Sequence, residues 1–319
     1  MMKLILCYLI SLIAVLILMP WFIDFMKKQS IRQSISQYST KEDQAKAGTP
    51  IMGGILFIVV PIVMTLLSSG QALKDMDTWI AILAFAGYGL IGFIDDFLIA
   101  VKKNNDGLKP RQKLLMQLVL AIAFYLLYRS HARLEIIWPF THHVWYLGWG
   151  YFILILLMFT GSSNAVNLTD GMDGLAAGCS IIALCAFLVV ALVQHRIGLS
   201  VLICSLLGAL CGYLYYNKKP ARVFMGDTGS LALGGIMAAM AMTMKIEVAF
   251  IVIAGIFVMD TLSVIIQITS VKTRHKKVFV YTPIHFAFRI KGMPENSVVH
   301  MFWLIEACFA VLGLFIALH

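Results

Sequence analysis

Charge is what this sequence has least of. Only 13% of its 319 residues are charged, while 61% are hydrophobic, and that balance excludes a soluble chain folded around one core. Cysteine chemistry is also missing. Cys7, Cys179, Cys185, Cys204, Cys211 and Cys308 all lie in apolar runs without a CxxC spacing, which leaves no disulfide framework or cysteine zinc site and makes them small buried apolar residues. The first apolar run has no small-residue cleavage site, is too long for a signal-peptide core and leads directly into Lys27 and Lys28, so it is expected to be a retained span. No internal repeat and no pair of matched broken segments is visible, which argues against a secondary transporter that would use buried acids for ion coupling.

What the chain does have is apolar runs of membrane-spanning length. About ten are expected, roughly at 4–26, 51–69, 78–101, 112–128, 149–162, 173–193, 198–216, 230–244, 247–271 and 298–317, so the predicted fold class is an all-α integral membrane protein. Basic residues orient it. Segments 27–50, 102–113, 217–230 and 272–297 hold five, five, three and six Lys or Arg, 19 of the chain's 25. Basic loops stay in the cytoplasm, so both termini are expected to point outward. The net charge of +9 follows from this bias and gives no sign of a nucleic-acid partner. On the outer side, Leu134–Trp138 and His142–Tyr146 flank a Pro-containing turn, which predicts a small periplasmic β-hairpin with Trp and Tyr at headgroup level. His142 and His143 belong to that turn rather than to a metal site.

Against this apolar background the polar clusters stand out. Gly92-Phe-Ile-Asp95-Asp96 places two adjacent carboxylates in the third span, about 9 Å from its basic end at ~1.5 Å per residue. Ionisable residues inside spans face a wet cavity or a partner, and these lie where the helix dipole disfavours negative charge. A cation is needed, unless the pair is simply solvated at the interface. Asn164-Ala-Val-Asn167-Leu-Thr-Asp170-Gly-Met-Asp173-Gly174 reads as an inner loop; capping the next helix explains one of its carboxylates but not both. Phe224-Met-Gly226-Asp227-Thr-Gly-Ser230 suits an N-cap at Asp227 and equally a phosphate-binding helix start. Asp260, in mid-span, is expected to bond a neighbouring helix through Thr or Gln267. The aromatic and basic run around His285 fits a segment lying at the lipid interface.

All of these acidic clusters fall on the side assigned to the cytoplasm. Separate loops that offer Asp95, Asp96, Asp170, Asp173 and Asp227 among many cations suit Mg²⁺ and a phosphate-bearing substrate, because Mg²⁺ takes one or two carboxylates plus phosphate oxygens and needs no His or Cys cage.

The same stretches, with Gly48-Thr49-Pro50-x-Met52-Gly53-Gly54, resemble the motifs of the phospho-N-acetylmuramoyl-pentapeptide transferase family in order along nearly the whole chain. The resemblance implies one polytopic catalytic domain over residues 1–319, often homodimeric, in the bacterial cytoplasmic membrane. It implies Mg²⁺-dependent transfer of phospho-MurNAc-pentapeptide from UDP-MurNAc-pentapeptide to undecaprenyl phosphate, giving lipid I and UMP. A sibling enzyme that uses UDP-GlcNAc or another UDP-sugar is the nearest alternative. By motif position Asp95, Asp96, Asp227 and His285 are catalytic, with Asp227 and Asp96 on the metal. Lys46, Thr49, Lys113, Asn167, Asp170, Asp173, Phe224 and Gly226 are assigned to substrate binding. Two departures stand out. Ile99 occupies the position of a family lysine, for which Lys102 or Lys103 would have to substitute. Of a family His-His-His run only His285 remains, followed by Phe286 and Ala287.

Overall fold

A computed structural model describes residues 2–29, 48–68, 70, 74–102 and 107–319. Its helices are α1 (Met2–Lys28), α2 (Gly54–Ser68), α3 (Met76–Lys102), α4 (Pro110–Tyr128), α5 (Trp149–Thr169), α6 (Leu175–Val193), α7 (Ile197–Asn217), α8 (Gly226–Thr243), α9 (Glu247–Ile253), α10 (Gly255–Arg274), α11 (Ile284–Ile290) and α12 (Glu295–Leu318). Among the described residues, eight helices are long and apolar enough to cross a membrane, and the chain is a multi-pass, all-α membrane protein. The two expected spans outside those eight correspond to α2, which is 15 residues long, and α8, which is 18.

The reason lies in the packing. Every residue of α8 from Thr228 to Thr243 is buried, and α3 and α5 pack along it. Small residues such as Gly234, Gly235, Ala238 and Ala239 let these backbones approach closely, the usual way helices associate where lipid supplies no hydrophobic drive. A helix wrapped by protein does not need the hydropathy of a lipid-facing one.

Two expected boundaries change. The run 247–271 is broken at Ala254 into α9 and α10. A carboxylate oxygen of Glu306 on α12 accepts the Ile256 N–H at 2.9 Å, which satisfies one of the amides orphaned at the start of α10. Helix α5 continues to Thr169, so Asn164 and Asn167 are helical and only residues 170–174 form the loop.

The two ends of the bundle are chemically distinct. One end carries the hairpin of β1 (Glu135–Ile137) and β2 (Val144–Tyr146), paired antiparallel with Ile136 opposite Trp145. Lys245 Nζ ties it down, donating to the carbonyls of Arg133 and Glu135 at 2.6 and 3.0 Å. The His319 carbonyl accepts the Phe140 N–H, placing the C-terminus there. Asp77 joins Arg196 to His131 at the same end, at 2.6 and 2.9 Å. Tyr216 Oη donates to the Leu16 carbonyl, and a Cβ on Gly208 would meet the Tyr8 carbonyl; residues advance together, so α1 runs parallel to α7. Its N-terminus therefore shares the hairpin end, and the described residues of the basic segments lie at the other.

Candidate active site

At the basic end, α3 presents Asp95 and Asp96 to the first turn of α8. Both carboxylates are buried. Asp96 accepts the backbone N–H groups of Asp227 and Thr228 at 3.1 and 3.0 Å and the Thr228 hydroxyl at 2.6 Å. The carboxylate that caps α8 is thus Asp96, reaching across from another helix, and not Asp227 as the sequence suggested. Orphan amides plus the positive end of the helix dipole make this a favourable seat for an anion. Two glycines permit the approach. A Cβ at Gly92 would lie 2.0 Å from the Asp227 carbonyl oxygen, and one at Gly226, which has φ +68°, would lie 2.3 Å from Asp96 Oδ2.

Asp227, freed from capping, points into a cluster of polar groups. Lys113 Nζ on α4 donates to Asp227 Oδ2 and lies 3.6 Å from Asp95 Oδ2. On the other side, Asn167 Nδ2 donates to Asp227 Oδ1 at 2.5 Å and to Ser230 Oγ at 2.9 Å. Asp95 also accepts the Leu108 N–H at 2.5 Å, which brings Gly107 and Leu108 against the pair. The cation that the third span required is therefore Lys113. Lys102 ends α3, and Lys103 lies outside the described residues.

The other described site residues fall on the segments that adjoin these helices. Asp170 follows the last turn of α5, its N–H bonded to the Val166 and Asn167 carbonyls. Asp173 is buried and accepts the Ala221 N–H at 3.1 Å. It braces two loops and caps no helix, since Gly174 precedes α6 and donates its own N–H to Asn217 Oδ1. Thr49 and Phe224 sit on adjoining segments, joined where the Phe224 N–H donates to the Pro50 carbonyl and the Gly53 N–H to the Phe224 carbonyl, each at 2.9 Å. Lys46 lies outside the described residues.

His285 is fully buried on α11, packed beside Gly171. The interfacial segment expected here is thus partly internal: Ala287 is buried with it, while Val278, Val280 and Tyr281 are exposed. The partner of Asp260 is also corrected. Its Oδ2 lies 2.8 Å from His285 Nδ1, whereas Gln267 bonds residues 278 and 279.

Two residues of this framework carried no usable signal in the sequence. Asn217 bridges Gly174 and Val223, and Glu295 accepts the Asp173 N–H while meeting Lys219 at 2.9 Å. Both lie at helix ends, where polar residues are ordinary.

The donor set fits Mg²⁺. Asp95 and Asp227 converge on one cationic group, the Lys113 ammonium, and offer hard oxygen ligands. Among the described residues no three His, Cys, Asp or Glu close into a cage. Mg²⁺ takes one or two carboxylates and fills the rest of its coordination with water and substrate phosphate oxygens.

Residues 78–245 match the family described as glycosyl transferase family 4. The chain is 46% identical over 304 residues to the phospho-N-acetylmuramoyl-pentapeptide-transferase of Bacillus thuringiensis (strain Al Hakam). It matches those of Bacillus cereus (strains AH187 and G9842) equally, each alignment covering 94% of this chain and 93% of the relative. At that identity and coverage the chain belongs to the phospho-N-acetylmuramoyl-pentapeptide-transferase family of membrane enzymes.

Proposed function

We propose that this enzyme transfers phospho-MurNAc-pentapeptide from UDP-MurNAc-pentapeptide to undecaprenyl phosphate, with Mg²⁺, on the cytoplasmic face of the bacterial inner membrane. The products are lipid I and UMP, and the working unit is a homodimer of single-domain chains. The observation that carries the reading is the pair of carboxylates, Asp95 and Asp227, closed around Lys113 Nζ at the basic end.

An oxygen of the lipid phosphate forms a bond to the sugar-linked phosphorus, and the bond from that phosphorus to the bridging oxygen breaks. UMP departs with the electron pair. A phosphate monoester has a second pKa of ~6 and is mostly dianionic at neutral pH, so positioning and charge neutralisation matter more than a strong base. Asp227 and Asp95 would hold Mg²⁺, which when bound offsets the negative charge of the diphosphate. Lys113 contributes a second positive charge at the same place. Asn167 fixes one oxygen of Asp227, and Asp96 holds the start of α8 so that Asp227 stays aimed. We assign Asp96 this positioning role within the carboxylate set. Asn167, Asp170 and Asp173, with Thr49, Phe224, Gly226 and Lys46, are assigned to the nucleotide sugar.

Purified enzyme with undecaprenyl phosphate, Mg²⁺ and UDP-MurNAc-pentapeptide is expected to release UMP, and chelation with EDTA to stop it. Equal release from UDP-GlcNAc would refute the donor assignment, and release that survives EDTA would refute the metal. Lys113→Met is expected to lower kcat by about 10- to 100-fold, the scale of one charge-assisted hydrogen bond at a reacting phosphate. A change of less than twofold would remove Lys113 from the mechanism.

A further inference from the structure

The two ring nitrogens of His285 have different surroundings. Nδ1 lies 2.8 Å from Oδ2 of Asp260, and the His285 backbone N–H donates to Oδ1 of the same carboxylate at 3.4 Å. Both side chains are fully buried. Nε2 is buried as well, yet meets no hydrogen-bonding atom among the described residues. Leaving such an atom unpaired costs about 1–3 kcal/mol, so stability alone does not account for its direction.

That direction is specific. Nε2 faces Gly171, where an added Cβ would lie 2.6 Å away, and the Phe286 ring edge would be 2.8 Å from the same Cβ. Gly171 and Phe286 are both partly exposed, so they form a thin cover over the imidazole beside Asp170. A carboxylate offers only lone pairs. The nitrogen in front of Asp260 must therefore carry a proton, and in the neutral ring the other presents a lone pair.

We propose that Asp260 is a positioning residue that holds His285 as its Nδ1–H tautomer, so that Nε2 serves as a hydrogen-bond acceptor for a hydroxyl or N–H of the bound nucleotide sugar beneath Gly171 and Phe286. The acceptor character excludes a phosphate oxygen as the ligand of the neutral ring, because a phosphate dianion has no hydrogen to donate. The glycine leaves the approach open. The proposal rests on the donor binding assigned above to residues 167–173.

The test uses full-length enzyme with ¹⁵N-labelled histidine in lipid nanodiscs, the signal of His285 being identified by its loss in His285→Gln. A pyrrole-type Nδ1 and a pyridine-type Nε2 are expected, with Nε2 moving when UDP-MurNAc-pentapeptide is added and unmoved by undecaprenyl phosphate. A protonated Nε2 in the wild type overturns the proposal, whatever the enzyme's activity. Asp260→Asn is expected to raise the KM for the nucleotide sugar about tenfold, as for loss of one oriented hydrogen bond, and to leave the KM for undecaprenyl phosphate within twofold. Asp260→Glu should restore most of the lost affinity. An Asp260→Asn enzyme with wild-type KM for the donor also overturns it. If the wild type shows the expected tautomer but releases no UMP, the functional reading fails and the Asp260–His285 pairing stands.

Discussion

Asp227→Asn is expected to lower turnover by about 10³-fold, the upper range for removing one preorganised electrostatic group from a reacting centre. The substitution keeps the size of the side chain and an oxygen for Asn167 or Lys113, so the fold survives. It removes the charge on which Lys113, Asn167 and the proposed Mg²⁺ all converge. Because the loss is confined to charge stabilisation during transfer, kcat should fall far more than the KM for the nucleotide sugar rises. UMP release at saturating substrates and unchanged thermal unfolding in detergent are the measurements. Turnover within tenfold of wild type would show that Asp227 does not face the reacting phosphates.

Gly92→Ala is expected to damage both stability and activity, at a cost of about 3 kcal/mol, the high end for overpacking a filled interior. The added Cβ would sit 2.0 Å from the Asp227 carbonyl oxygen and 2.4 Å from the Thr228 nitrogen. Those are backbone atoms at a buried helix start and cannot rotate away. The helices α3 and α8 must separate, and the three hydrogen bonds that Asp96 accepts are lost with their contact. Gly161→Ala on α5 is the control, because nothing lies within 4 Å of its added Cβ. Equal melting temperatures for the two variants would contradict the close approach.

Much of this was legible in one dimension. Nineteen basic residues in four segments separated the two ends of the bundle, and the short β-rich runs around Pro139 became the hairpin. Departures from expectation had local causes that involve distant residues. The α8 cap came from Asp96 and the partner of Asp260 from α11. The break at Ala254 has no proline to announce it, and its freed amide is satisfied by Glu306, some 50 positions away. Helix α8 reads as weakly apolar because protein, and not lipid, surrounds it.

The sequence by itself determined the class of protein and the family, located the apolar helices and picked out a set of acidic residues. These follow from partitioning between water and lipid and from local motifs, both of which act on contiguous residues. Only the tertiary structure decided how that set divides: Asp96 to hold a helix, Asp227 and Asp95 to face a lysine, and Asp260 to orient a histidine. A carboxylate's role is set by whichever donor stands within about 3 Å of it, and here those donors come from other helices, brought into reach by packing at glycines that no sequence periodicity reveals.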